Sequence, residues 1–358
     1  MTEAEFIVQA INVGDGDGAG MMIFTYNGQR IPVSIFPRST ASKDTETDIE
    51  GHLIDLLERC VAASGEGKHE EWEQLEDEAV LAILDVGEAT FDEVAPDCPY
   101  KIVLGDLHSF LYPKTLAFRL QVVSGKATMV AIDPSLAYAT IRDRPIDNIQ
   151  HELEIDSSIP VFSAKDVFIS ELLVGGVSST VSRVLVKGRE MLCKADGAGL
   201  ANLSFERELI ILQKLRNEPV QSIRAPLLVG YVVHPDSGSI VGLLREWIPG
   251  KPLKEMDVQA TPEELRYRWA SQIRQTVDRL HEIKVTWGDG KASNVIVDKE
   301  ENAWLIDFGG GWTYGWVEEE LADTVKGDNQ AVARIFKWLG VNPGEFQAAS
   351  EGDEKICS

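Results

Sequence analysis

Cysteine is scarce in this sequence. There are four in 358 residues, and Cys60, Cys98, Cys193 and Cys357 are scattered with no pair at CxxC spacing. That excludes a disulfide framework and the common zinc-site patterns, and leaves free buried thiols as the expectation. Long apolar runs are missing as well. No stretch reaches the roughly 18 residues that cross a bilayer. The start, Met1-Thr2-Glu3-Ala4-Glu5, has neither the basic region nor the apolar stretch of a signal peptide. These absences predict a cytoplasmic protein with no membrane partner. Positive charge is the third shortage: 34 Lys and Arg stand against 58 Asp and Glu, a net charge of -24. Nucleic-acid binding depends on cations that neutralise phosphates. The balance therefore argues against a nucleic-acid partner, although it does not exclude a tRNA bound in a local basic groove. What is present suffices for a folded core, with 44% hydrophobic residues, and the length predicts two domains of about 100–200 residues each.

The first half reads as an α+β domain over residues 1–160. Apolar and polar residues alternate from Glu5 to Phe36 on both sides of a glycine-rich stretch, Gly14 to Gly20, with a turn at Asn27-Gly28. The stretch is not an EF-hand, which needs a Glu about twelve positions in and flanking helices; Tyr26 and strands stand there instead. Helices are predicted over 48–63 and 72–86, and strands over 100–104, 117–123 and 127–132, the last two joined at Ser124-Gly125. The irregular, proline-spaced segment 134–160 holds the predicted boundary. No catalytic constellation stands out in this half, and His108 reads as structural.

The second half, 161–358, carries chemistry. Two predicted strands flank Val174-Gly175-Gly176-Val177-Ser178, a loop whose backbone amides and hydroxyls suit phosphates. After a turn at Lys187-Gly188 comes a third strand with Lys194 among apolar neighbours. A cation there must reach water or an anion. A helix predicted to start near Ser204 turns Glu208 inward beside Leu212 and Leu215, which makes it the natural partner, with Glu206 as the competing candidate. Strand Ile240 to Leu244 runs into Arg245-Glu246-Trp247-Ile248-Pro249-Gly250, a hinge-like segment whose Glu246 and Trp247 backbone suits an adenine ring. A helix over 262–283 carries a clear apolar stripe. Directly after it stands Trp287-Gly288-Asp289-Gly290-Lys291-Ala292-Ser293-Asn294, and thirteen residues beyond Asn294 comes Asp307, in Leu305-Ile306-Asp307-Phe308-Gly309. A D-x-K-x-x-N loop followed by an apolar-Asp-Phe-Gly turn supplies an acceptor for a hydroxyl proton, a cation for the γ-phosphate and two oxygen ligands for magnesium.

This ordered set resembles the protein-kinase-like superfamily over roughly 167–340. It is similar to the small, divergent branch that includes aminoglycoside phosphotransferases and RIO-type kinases, and more narrowly to fungal kinase-like proteins. The resemblance implies a two-lobed domain, with a small lobe at 161–248 and a truncated large lobe at 249–358. It implies ATP and Mg as cofactors, with Gly175, Gly176 and Ser178 near the phosphates, Lys194 on the α- and β-phosphates and Glu208 orienting it. Asp289 would be the base, Lys291 would meet the transferring group, Asn294 and Asp307 would hold magnesium, and Asp328 would brace the loop. Trp287-Gly288 replaces the family's usual His-Arg, so activation by phosphorylation is not expected. The expected function is phosphoryl transfer to a hydroxyl of a small molecule or protein. Two alternatives stay open: a pseudokinase binding module, and a fold diverted to acyl or aminoacyl transfer, such as tRNA-dependent cyclodipeptide synthesis.

Overall fold

A computed structural model describes residues 6–14, 18–37, 48–66, 68–96, 105–141, 144–146, 153–175, 179–217 and 223–342. Among these residues the protein is mixed α and β, with three sheets and six α-helices, compatible with the α+β class. The chain divides into two compact units, Met1–Arg144 together with Gly175–Ser178, and Pro145–Val174 together with Ser179–Ser358.

The first unit contains β1 (Phe6–Val13), β2 (Gly20–Tyr26), β3 (Gln29–Ile35), α1 (Ile49–Gly65), α2 (His69–Val94), α3 (Leu107–Leu111), β4 (Phe118–Val123) and β5 (Lys126–Ala131). Its sheet runs β1-β2-β3-β4-β5, parallel at β3–β4 and antiparallel elsewhere. Both hairpin turns put two residues in the left-handed region that such turns require, Asn27-Gly28 (φ 47° and 79°) and Ser124-Gly125 (φ 52° and 80°). Asp48 caps α1 by accepting from the Gly51 amide at 3.0 Å. Helix α2 extends beyond the predicted 72–86 at both ends. The fully buried Phe91 continues its apolar face into ring contacts with Phe24, Tyr26 and Phe118. The strand predicted at 100–104 and residues 15–17 of the glycine-rich stretch lie outside the described residues.

The second unit begins with residues 145–160, where Ile159 is buried in its core. Its elements are β6 (Val161–Ser163), β7 (Phe168–Gly175), β8 (Ser179–Val186), β9 (Arg189–Asp196), α4 (Leu203–Arg216), β10 (Leu228–Val233), β11 (Ile240–Arg245), β12 (Gly250–Pro252), α5 (Glu263–Glu282), β13 (Val295–Asp298), β14 (Ala303–Leu305) and α6 (Val325–Leu339). A six-stranded sheet runs β6-β10-β11-β9-β8-β7, and β12-β13-β14 form a small sheet. Lys187-Gly188 turns β8 into β9 with φ of 48° and 77°. Asn202, not the expected Ser204, caps α4: its side-chain oxygen accepts from the amides of Ser204 and Phe205 at 3.1 and 3.2 Å, so the helix begins earlier. On α5, Trp269, Ile273, Val277 and Leu280 are fully buried at helical spacing. Helix α6 buries Ile335, Phe336 and Leu339 and ends at Gly340, whose φ of 65° allows the Val341 amide to reach back to the Phe336 carbonyl at 3.0 Å. One continuous core joins α4 and the large sheet to α5, α6, β13 and β14.

Of the four cysteines, Cys60 and Cys193 are described, and both are free and buried. Burial pushes the Cys193 thiol up and raises that of Cys60 to about 11, so neither is a ready nucleophile. No helix among the described residues is long and apolar enough to cross a membrane.

Candidate active site

Lys194 stands on β9, in register with Val181 on β8 and Leu243 on β11. Those neighbours are apolar, so its ammonium turns to the acids. Nζ meets Glu208 Oε2 at 2.5 Å and Asp307 Oδ1 at 3.2 Å. Glu208 is 2% exposed on the inner face of α4. The competing Glu206 is also buried, but its Oε1 accepts from the Leu153 amide at 3.3 Å. Burial pulls the Lys194 ammonium down, yet the charges of Glu208 and then Asp307 outweigh it and hold its pKa above the ordinary lysine value. A raised lysine contributes stability that is complete below its unfolded value of 10.5 and is lost as pH rises through the folded value. The melting-temperature gap between wild type and Lys194→Met is expected to stay constant from about pH 7 to about pH 10 and to shrink only as pH rises past the unfolded value of 10.5. A gap that narrows already near neutral pH would contradict this charge state.

The loop from Val285 to Asn294 is built on two buried anchors. Asp328 of α6, fully buried, accepts from the amides of Trp287 and Gly288 at 2.8 and 2.9 Å and contacts His281 Nε2 at 2.8 Å. Trp287, also fully buried, donates from its indole to the Ile306 carbonyl at 3.0 Å, and the Ile306 amide donates to the Asn294 carbonyl at 3.0 Å. The loop and the Asp307 turn are thereby held to each other. Asp307 adopts φ 62°, a left-handed conformation that Asp tolerates better than most residues. Asn294 donates its side-chain amide to the Asp289 carbonyl at 2.8 Å.

Asp289 has both carboxylate oxygens engaged. Lys291 Nζ contacts Oδ2, and the Thr313 hydroxyl donates to Oδ1 at 2.7 Å while accepting from Lys291 Nζ at 2.9 Å. A hydroxyl oxygen thus sits between a carboxylate and an ammonium, which is the position in which a hydroxyl loses a proton most readily.

Lys194, Glu208, Lys291, Asn294 and Asp307 border one pocket of about 650 Å³, within the range of small-molecule and cofactor sites. Its lining combines these polar groups with apolar side chains, Leu173, Val181, Leu192, Ile248, Ile296 and Ile306. Trp247 borders the pocket as well, with the Arg183 guanidinium 5.7 Å from its ring centre. Glu246 is not among the lining residues: its amide donates to the Leu227 carbonyl at 3.0 Å, and its carboxylate accepts from the Leu227 amide at 3.2 Å. Asp289 adjoins the pocket through Lys291 and Asn294 without lining it. Gly175 ends β7, and Gly176 and Ser178 lie outside the described residues.

Sequence reasoning missed two polar residues here. Arg245 ends β11, is 6% exposed and lines the pocket, with burial depressing its pKa against the opposing charges of Glu208 and Asp307. It carries the same signal as Lys194, a cation closing an apolar strand. Thr313 carries no such signal, since nothing local in Gly311-Trp312-Thr313-Tyr314 marks its hydroxyl.

No protein-family model matches the chain. Curated relatives at low identity are protein kinases, which supports placement in a protein-kinase-like superfamily. Cysteine-rich receptor-like protein kinase 36 of Arabidopsis thaliana is 24% identical over 238 residues, 60% of this chain and 34% of that protein. The G-type lectin S-receptor-like serine/threonine-protein kinase CES101 of the same plant is 28% identical over 228 residues, 58% and 25%. Serine/threonine-protein kinase pakG of Dictyostelium discoideum is 21% identical over 201 residues, 54% and 16%. The matched region spans between 16% and 34% of these relatives' own length.

Proposed function

We propose that this protein is an ATP- and magnesium-dependent phosphotransferase whose second unit is a two-lobed kinase-like domain, with the large sheet and α4 in one lobe and α5 and α6 in the other. The observation that carries the reading is the meeting of Lys194, Glu208 and Asp307, from three separate segments, in a pocket that Asn294 and Lys291 also line. The kinase relatives support the same chemistry.

Each group has a task. The apolar side chains of the lining take the base, and Lys194, held by Glu208, takes phosphate oxygens. Asp307 and Asn294 suit a hard divalent cation: the Asn294 NH₂ is engaged by the Asp289 carbonyl, which leaves its amide oxygen as the ligand atom beside the Asp307 carboxylate. Bound there, magnesium would neutralise phosphate charge. Asp289 accepts the proton of the attacking hydroxyl at Oδ1, where it now accepts that of Thr313, and Lys291 steadies charge on the group being transferred. The acceptor is any alcohol that reaches Asp289, from a small molecule or a protein side chain.

A second reading, a binding module without turnover, draws on the double engagement of the Asp289 carboxylate by Lys291 and Thr313. Thermal denaturation with ATP, with and without magnesium, tests nucleotide binding. Ligand at about 100 times its dissociation constant is expected to add about 2.7 kcal/mol of stability, an upshift of several degrees that depends on the metal. No nucleotide-dependent shift would overturn the phosphotransferase reading and leave the binding module and the diverted-transfer chemistry.

A further inference from the structure

Arg207 is the residue just before Glu208 on α4, and nothing in the sequence pattern singles it out. In the structure its guanidinium joins four segments. Nη1 donates to the Phe308 carbonyl at 2.5 Å, and Nη2 donates to the Thr286 carbonyl at 3.2 Å and to its hydroxyl at 3.0 Å. Nη2 also lies 3.4 Å from Asp323 Oδ1, and the same oxygen accepts from the Gly311 amide at 3.0 Å.

The backbone around it is shaped to admit this group. Gly288 and Gly310 take φ of 95° and 82°. A side-chain carbon on Gly288 would lie 2.8 Å from Arg207 Nη1 and 2.7 Å from Asp323 Oδ1; on Gly310 the distances would be 2.7 and 2.6 Å. At such separations the guanidinium and the carboxylate would have to shift, so a side chain at position 288, next to Asp289, would press on the α4 guanidinium.

We propose that Arg207 is a positioning residue, a clamp set by Asp323 that holds the Asp307 turn and the Asp289 loop against α4. The bond to the Phe308 carbonyl falls one residue beyond Asp307, so it fixes the left-handed turn that aims the Asp307 carboxylate at Lys194. The bonds to Thr286 act three residues before Asp289. Because Arg207 and Glu208 are consecutive on one helix, the clamp and the Lys194 partner move together, and the two ends of the site are set as one body. The planar guanidinium reaches these acceptors from fixed directions, which an ammonium cannot do. Asp323 supplies the anion within the chain, so the assembly needs no added phosphate.

The clamp rests on the phosphotransferase reading for its effect on magnesium, but not for its effect on backbone mobility, and the test separates the two. Hydrogen exchange of the unliganded protein is compared in wild type, Arg207→Ala, Arg207→Lys and Asp323→Asn. Exchange over 285–290 and 304–311 is expected to rise about tenfold in Arg207→Ala, with β11 unchanged and Arg207→Lys intermediate. In parallel, the magnesium concentration that half-saturates ATP turnover is expected to rise at least tenfold, as for outer-shell partners of a metal ligand, while ATP binding in chelator stays within about twofold. Unchanged exchange in both segments overturns the clamp. Faster exchange with an unchanged magnesium requirement reduces Arg207 to a structural tie and overturns its positioning role. If wild type binds no nucleotide at any magnesium concentration, the phosphotransferase reading fails and exchange alone judges the clamp. Arg207→Lys and Asp323→Asn keep the test open should Arg207→Ala not fold.

Discussion

Asp289→Asn is expected to lower turnover about a thousandfold while leaving Mg-ATP affinity within about twofold. The carboxylate does not line the pocket, so a nucleotide makes no contact that the substitution removes. What is lost is the acceptor for the hydroxyl proton. At this site the loss is sharper than at an exposed carboxylate. Asp289 serves Lys291 at one oxygen and a hydroxyl at the other, and an amide offers a single oxygen for both. Single-turnover assays at saturating ATP read the chemical step directly. Turnover unaffected by the change would remove Asp289 as the base. A wild type that binds Mg-ATP tightly and never turns over, whatever alcohol is supplied, would move the protein to the binding-module reading.

Lys194→Met is expected to have two effects that come apart. The first is on folding. Removing the ammonium strands a carboxylate that is 2% exposed at Glu208, and breaking one side of a buried pair costs about 3–5 kcal/mol. The second is on nucleotide binding, expected to weaken roughly a hundredfold, because a charged partner buried with the phosphates is gone. The double variant Lys194→Met/Glu208→Leu separates them. With the stranded charge replaced by an apolar side chain of similar reach, most of the stability returns, since apolar replacement of a whole buried pair is often neutral or better. Affinity for ATP does not return. Urea denaturation of the two variants and calorimetric titration with ATP measure the two effects independently. Recovery of nucleotide affinity in the double variant would show that Lys194 acts on folding alone.

The pocket holds more charge than these two residues. Lys194 and Arg245 face Glu208 and Asp307, two cations and two anions in a largely buried cluster. Such a cluster tolerates the arrival of phosphates and a divalent ion together better than either alone, because paired charges enter without leaving one uncompensated. That is consistent with a metal-dependent stabilisation by ATP.

Much of the site follows from local spacing. The run from Trp287 to Asn294 and the Asp307 turn are set by short loops whose geometry a few residues determine, so the groups that meet in them are adjacent or nearly so in the chain. The stripe on α5 and the turns at Asn27-Gly28 and Lys187-Gly188 are legible for the same reason: periodicity and left-handed residues are properties of the segment itself. Pairings between segments are another matter. Glu206 and Glu208 are both carboxylates and both buried, and only the approach of Leu153 to one and β9 to the other assigns Lys194 its partner. Thr313, Arg207 and Asp323 carry no local mark. Their roles arise where α4, the Asp289 loop and the Asp307 turn come together, and the sequence neighbours of each residue contain no trace of that convergence. Composition and spacing alone determined which chemical groups this chain carries and in what order. The packing of sheet, α4 and loops decided which of them touch, because a contact between distant segments is set by the surfaces buried around it.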